Sequence, residues 1–163
     1  MENIIYKEVI NIKELAILAS EIWHEYWTCI LSQEQIDYMI EKFQSENAII
    51  NQIKNDNYIY FYIIYDNKKA GYIGISKKQG KLFLSKLYIK KEYRHKGLGT
   101  KSFNFIKNYA KENNYKTIYL TVNKNNINTI CAYNKWGFKT VDSVVTDIGK
   151  GFVMDDYIME YNL

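Results

Sequence analysis

The chain has 163 residues, 47% of them hydrophobic and 16% aromatic, which suits a single domain over 1–163 with a sizeable core. Its 22 basic and 18 acidic side chains leave a formal charge of +4, which permits an anionic partner and equally suits an ordinary solvated surface. Cys29 and Cys131 form neither a metal-ligand spacing nor a disulfide framework, and the longest apolar run, Tyr58 to Tyr65, is far too short to span a membrane.

These features, with an N-terminal MENIIYKEV that lacks the basic start and cleavage site of a signal peptide, predict a cytoplasmic protein with no membrane partner. Proline is absent, so Gly, Asn, Asp and Lys must make every turn.

The first predicted element is a short strand at Ile4 to Ile10. A helix follows, opened by Asn11 and Glu14 in capping-box spacing, with Leu15, Leu18, Ala19, Ile22 and Tyr26 as its buried stripe. A second box, Ser32 with Gln35, starts another helix bearing Ile36, Met39, Ile40 and Phe43 at helical spacing. Three strands come next, Tyr58 to Tyr65, Ala70 to Ser76 and Leu82 to Ile89, joined by the hairpin-length turns DNKK and KKQG into an antiparallel meander.

From Leu98 the period becomes helical, with Leu98, Phe105, Ile106, Tyr109 and Ala110 inward and Lys101, Lys107 and Lys111 outward. TIYLTV reads as a strand. A short helix then begins near Asn126 and stops at Gly137, before strands at Phe138 to Val144 and Phe152 to Tyr161. Strand, two helices, three strands, helix, strand, helix and two strands make an α/β sandwich on a mixed sheet.

The stretch YRHKGLGTKS, Tyr93 to Ser102, lies between a predicted strand and a predicted helix, so its backbone amides would point out of a helix N-terminus toward an anion. Gly97 and Gly99 allow close approach, Arg94 can fork onto a phosphate, and His95 and Lys96 add donors. A Walker A loop is excluded because Thr100 precedes Lys101. The dinucleotide fingerprint is excluded because Ser102 stands where its third glycine belongs and TIYLTV brings no acid for a ribose.

The remaining pattern, Arg-x-x-Gly-x-Gly within Leu84 to Val122, resembles the central strand-loop-helix-strand block of the GNAT superfamily of acetyl-CoA-dependent N-acetyltransferases. VNKNNINTICAYNKWGF, Val122 to Phe138, resembles that family's Val-x3-Asn-x2-Ala-x3-Tyr-x-Lys-x-Gly-Phe segment, with Thr129 in place of the alanine. The resemblance implies a mostly antiparallel central sheet with helices on both faces, and acetyl-CoA or coenzyme A as ligand. It implies a pyrophosphate held at Arg94, His95, Lys96, Gly97, Leu98, Gly99 and Thr100. The pantetheine arm would bond the backbone of Leu87, Tyr88 and Ile89 and the side chain of Asn126, with Tyr133 at the thioester sulfur and Lys135 in the same motif. Lys91 stands where the family commonly has proline, which leaves a looser turn.

Thioester aminolysis needs an uncharged amine, donors for the developing oxyanion and a proton for the departing thiolate. Tyr133 is the expected proton donor, since a phenol with a pKa of about 10 can protonate a thiolate. Some relatives carry a glutamate twelve residues earlier as base, and here that position is Thr121, which leaves His24 or Glu25, acting through water, as candidates.

The N-terminal EIWHEYWTCILSQEQIDYMIEKFQS and the C-terminal GFVMDDYIMEYNL resemble the PaiA-type branch, which acetylates spermidine and spermine. Trp23, Tyr26 and Trp27, with Glu25, Asp155 and Asp156, could receive a slender polycation, although aromatics on a helix face usually belong to the core. Three alternatives compete: a protein or peptide N-acetyltransferase, a non-catalytic acetyl-CoA-binding module, and a nucleic-acid binder using Lys90, Lys91, Arg94 and Lys96. The last is disfavoured because its cations sit in one short loop away from the aromatics. A small-molecule amine is the expected partner, and a homodimer stays open.

Overall fold

The computed structural model describes residues 3–78 and 80–163; Met1, Glu2 and Gln79 lie outside the described residues, and with them part of the N-terminal reading and of the KKQG turn. The strands form a seven-stranded, mostly antiparallel sheet in the order β1-β2-β3-β4-β5-β7-β6, as the mixed-sheet reading expects. The residues pack as two compact units: Met1–Lys77 with Leu84–Phe103, and Lys78–Phe83 with Asn104–Leu163.

In the first unit, β1 (Ile4–Glu8) pairs antiparallel with β2 (Tyr58–Tyr65), and β2 with β3 (Lys68–Lys78). The DNKK turn is tight because Asp66 and Asn67 both take positive φ, 45° and 66°, the pairing a two-residue hairpin needs. Gly71 on β3 lies so close to the last turns of β4 (Lys81–Ile89) that a Cβ there would stand 2.2 Å from the Tyr88 carbonyl oxygen.

Helix α1 (Ile12–Tyr26) starts as expected, its Asn11 side chain accepting from the Glu14 amide at 3.2 Å. The Glu14 carboxylate does not return the bond but pairs with Lys69 at 2.8 Å. Leu15, Leu18, Ala19 and Ile22 form the buried stripe, each buried side chain worth ~1.5–3 kcal/mol for Leu or Ile. Trp23 joins them, whereas Tyr26 is only half-buried.

The expected second helix is split. Helix α2 (Gln33–Met39), capped by Ser32, runs into a π-helical segment (Ile40–Gln44), and a third helix, α3 (Glu46–Asn55), follows from Ser45. α3 is not among the predicted elements; it buries Ile49 and Gln52 and leaves Ile50 and Ile53 exposed. The π segment is held from inside. The Phe43 carbonyl accepts from the Gln44 amide at 2.9 Å and the Gln52 amide at 3.0 Å, and Gln44 Oε1 accepts from the Tyr72 hydroxyl at 2.8 Å. Tyr72 in turn accepts from Trp23 Nε1 at 2.7 Å. This network satisfies every buried polar group it contains, which is what makes a fully buried Gln44 tolerable.

In the second unit, the start of β4 pairs in parallel with β5 (Thr117–Asn123), Leu82 opposite Ile118 and Phe83 opposite Tyr119. β5 pairs antiparallel with β7 (Phe152–Asn162), and β7 with β6 (Lys139–Gly149), a longer strand than expected that carries two bulges. Helix α4 (Leu98–Glu112) begins in the first unit and ends in the second. Its buried residues include Leu98, Ser102, Phe103, Ile106 and Ala110, while Phe105 and Tyr109 are half-buried, a rotation of the expected face. Helix α5 (Ile127–Trp136) has Asn126 as N-cap and ends where expected, at Gly137 with φ 104°.

His24 clamps α1 to α2: Nδ1 donates to the Ser20 carbonyl at 2.8 Å and Nε2 meets Asp37 Oδ1 at 2.9 Å. The Asp37 hydrogen bond raises the imidazole pKa above its usual range, and the same contact lowers that of Asp37. The clamp therefore contributes stability that is complete between the ordinary Asp and His pKa values and lost as pH rises through the raised imidazole pKa.

Replacing His24 by Ala should lower the urea midpoint clearly at pH 5.5 and hardly at all at pH 9, measured by circular dichroism. Gln44→Ala should cost ~2–3 kcal/mol in the same experiment, by leaving the Tyr72 O–H without its acceptor and the Phe43 carbonyl without one of its donors.

Candidate functional site

The anion-binding stretch is built in the first unit. β4 ends at Ile89 with Leu87, Tyr88 and Ile89 partly buried, and the Lys90 amide closes on the Ala70 carbonyl at 2.8 Å. One 3-10 turn, Lys91–Tyr93, reverses the chain. Arg94 braces this turn: Nε donates to the Ile89 carbonyl at 2.9 Å and the guanidinium lies 5.2 Å from the Tyr26 ring centroid. Its Nη2 is buried without a hydrogen-bond partner, 3.9 Å from Glu25 Oε1. Glu25 Oε1 also accepts the Lys91 backbone amide at 2.8 Å. The end of α1 is thus attached to the turn at Glu25 and Tyr26, which is why Tyr26 is half-buried rather than part of the stripe.

After the turn the chain passes through left-handed conformations at His95, φ 62°, and Gly97, φ 75°. A Cβ on Gly97 would meet nothing within 4 Å, so the approach to its backbone is open. Leu98, 1% exposed, anchors α4 against Tyr65 and Ala70, with Ile4, Ile89 and Tyr93 around them, and Ser102 meets the Tyr6 hydroxyl at 3.2 Å. The Lys101 amide bonds the Gly97 carbonyl at 3.1 Å, and the Leu98 and Gly99 amides stand ahead of it at the start of the helix. His95, Lys96 and Thr100 are exposed, Gly99 half-buried. This arrangement of leading amides, an open glycine and flanking cations fits a diphosphate.

Both expected bases in this unit are occupied. His24 has its two ring nitrogens on Ser20 and Asp37, a contact that favours the imidazolium, and Glu25 holds Lys91. Trp23 and Trp27 are 4% and 6% exposed and pack with Tyr88, ring centroids 5.4 and 6.5 Å away, so they form core and not a cation-receiving surface.

In the second unit, Asn126 is buried, yet its side chain makes no capping bond to α5; its backbone amide bonds the Asn123 carbonyl at 2.9 Å. Tyr133 is 9% exposed, wedged against Trp136 and Phe138 with centroids 5.5 and 5.6 Å away. Lys135 is exposed and Thr129 half-buried.

Asp155 and Asp156 part company. Asp155 pairs with Lys124 at 2.8 Å and is half-exposed. Asp156 is 5% exposed, its Oδ1 has no hydrogen-bond partner, and burial first, then the neighbouring Asp155 charge, push its pKa up to about 6. In the β5–β7 ladder Asp156 sits opposite Asn123, and Thr121 opposite Ile158. Partners across an antiparallel ladder share a face, and so do residues two apart along a strand, so Asp156 and Thr121 project from the same face as diagonal neighbours. Sequence reasoning named Asp156 only as one of a set of acids; the alternation of DD across a strand was the available signal.

The family model described as acetyltransferase (GNAT) family matches residues 19–138. The spermidine N(1)-acetyltransferase of Thermoplasma acidophilum is 28% identical over 149 residues, 89% of this chain and 90% of that protein. The spermine/spermidine N(1)-acetyltransferase of Bacillus subtilis is 36% identical over 63 residues, covering 38% of this chain and 41% of that protein. Among solved structures, the PaiA N-acetyltransferase of Thermoplasma acidophilum, crystallised with coenzyme A, superposes with a TM-score of 0.80 at 25% identity over 99% of both chains. The ribosomal-protein-S18-alanine N-acetyltransferase of Escherichia coli shares the fold, with a TM-score of 0.70 at 16% identity over 99% of this chain and 94% of that one. The braced turn, the open glycine and the start of α4 all lie within the matched residues, and the chain belongs to the acetyltransferase (GNAT) family and is an N-acetyltransferase that uses acetyl-CoA.

Proposed function

We propose that this enzyme acetylates a primary amine of a small molecule, with polyamines as the favoured class. The observation that carries the donor side is the entrance of α4, where the open backbone of Gly97 leads into the first turn of the helix. The acceptor side rests on the match to a spermidine acetyltransferase along 89% of the chain.

On this reading Arg94, His95, Lys96, Gly97, Leu98, Gly99 and Thr100 surround the diphosphate, chiefly through backbone amides. Arg94 acts mainly by holding the turn, since its Nε is spent on Ile89. The backbone of Leu87, Tyr88 and Ile89 and the side chain of Asn126 hold the pantetheine amides, and Lys135 adds a cation to the same ligand. Bound acetyl-CoA supplies an activated acyl carbon and a thiolate leaving group. Tyr133 gives that sulfur its proton. Glu25 positions the loop through Oε1, and His24 braces α1 on α2.

Thiol release should be followed across polyamines, aminoglycosides, amino acids and peptides. Spermidine or spermine should be turned over best; preference for a peptide would redirect the acceptor assignment, and binding without release for every amine would identify a non-catalytic acetyl-CoA module. Tyr133→Phe should lower kcat about 100-fold and leave the KM for acetyl-CoA within a few-fold. Glu25→Ala should do the reverse, raising that KM about tenfold with kcat nearly kept, because it removes one charge-assisted bond to the Lys91 amide. A collapse of kcat in Glu25→Ala would instead make Glu25 the base.

A further inference from the structure

The amine must lose a proton before it can attack, and the family resemblance puts Thr121 where some relatives carry a glutamate base. We propose that Asp156 receives the acceptor's ammonium group and takes its proton, from the neighbouring strand and the same sheet face. The inference rests on the acetyltransferase activity stated above, but not on which amine is the substrate.

The geometry is within one unit. Asp156 on β7 and Thr121 on β5 are diagonal neighbours on one face, a relation that places the two residues roughly 7–8 Å apart and their Cβ atoms somewhat closer. A carboxylate reaching from residue 156 can therefore serve much of the space that a longer side chain at 121 would serve. Thr121 is exposed, so this face is open beside the carboxylate. Asp156 is 95% buried by its 5% exposure, and Oδ1 has neither a hydrogen bond nor an ion pair. A buried carboxylate oxygen left unsatisfied is costly to the fold, and such costs persist where function uses them.

Its charged surroundings are not those of a structural ion pair. Lys124, at the end of β5, is engaged by Asp155 at 2.8 Å. On β6, Val144 lies opposite Asp156, and the nearest acid along that strand, Asp142, lies opposite Ile158. Asp155 raises the affinity of Asp156 for protons and Lys124 lowers it, with burial the larger influence. A carboxyl group poised near pH 6 is well matched to accept a proton near neutrality.

The proton balance closes. The ammonium gives one proton to the Asp156 carboxylate, directly or through one water. The neutral nitrogen forms the new C–N bond as the C–S bond breaks. The second nitrogen proton returns to the Tyr133 phenolate as Tyr133 protonates the departing sulfur. Asp156 then releases its proton to solvent, giving amide, free thiol and one proton per turnover.

The test uses the full-length enzyme with spermidine, or with whichever amine the wild type turns over. Asp156→Asn should lower kcat about 100- to 1,000-fold, leave the KM for acetyl-CoA within twofold, and abolish the acidic limb of the kcat/KM profile near pH 6. Adding Thr121→Glu to that variant should restore at least tenfold, because it returns a carboxylate to the same face. Two readouts need no turnover. Because burial raises the folded pKa, the ionised group destabilises the fold progressively above pH 4 and fully above pH 6, so Asp156→Asn should raise Tm at pH 8 and leave it unchanged at pH 3.5. The carboxyl carbon of Asp156, followed by NMR, should titrate near pH 6 in the wild type.

Turnover and an acidic limb that survive in Asp156→Asn would overturn the proposal. So would a lower Tm of that variant at pH 8, or an Asp156 titration near pH 4, either of which would identify an ordinary structural carboxylate. A wild type inactive on polyamines but active on another amine would remove the polyamine assignment alone.

Discussion

The hydrogen bond from Arg94 Nε to the Ile89 carbonyl ties the beginning of the anion-binding loop to the end of the strand that precedes it. Without that bond the chain would have to pass through two left-handed residues, His95 and Gly97, with only local backbone bonds to direct it into α4. With it, Leu98 is delivered into its pocket beside Tyr65 and Ala70, and the helix begins at one defined place. A site made of backbone amides gains its strength from being in position before the ligand arrives, because no ordering cost then falls on binding. The arginine that looks like a ligand for phosphate braces the turn through the Ile89 carbonyl.

Helix α1 serves the loop from a distance. Its stripe of Leu15, Leu18, Ala19, Ile22 and Trp23 is buried, and Trp23 donates into the chain of hydrogen bonds that ends at the π segment. That rigidity is transmitted to the last turn, where Glu25 and Tyr26 meet Lys91 and Arg94. Polar groups committed in this way are unsuited to shuttling protons, since leaving their partners would undo the loop. The buried Asp156, whose Oδ1 holds no partner at all, is the opposite case. Asp155 and Asp156 are adjacent in sequence and of one chemistry, yet a strand sends them to opposite faces, and only one of them meets a lysine.

Much of the fold was legible along the chain because its signals are local. Asn11, Ser32 and Gly137 delimit helices through bonds or conformations confined to a few residues, and the run Tyr58–Tyr65 was read to its ends. What was missed depends on contacts far apart in sequence. The helix Glu46–Asn55 leaves Ile50 and Ile53 exposed and is set off from α2 by the π segment, where Gln52 and Gln44 both reach the Phe43 carbonyl. The rotated face of α4, with Phe103 and Ser102 inward, is likewise set by what the helix packs on, here including Tyr6.

The residue order by itself determined the strand-loop-helix entrance with its glycines, the succession of elements, and the family to which the chain belongs. Glycine positions, caps and hydrophobic spacing act over a turn or two, so they survive in a one-dimensional record. Tertiary structure alone decided which charged groups are spent and which are in reserve. Arg94, Glu25 and His24 lost their apparent freedom to partners 5, 66 and 13 residues away, while register across β5 and β7 put Asp156 on the face of Thr121. The physical reason is that a side chain's chemistry depends on its neighbours and its burial, and long-range packing sets both.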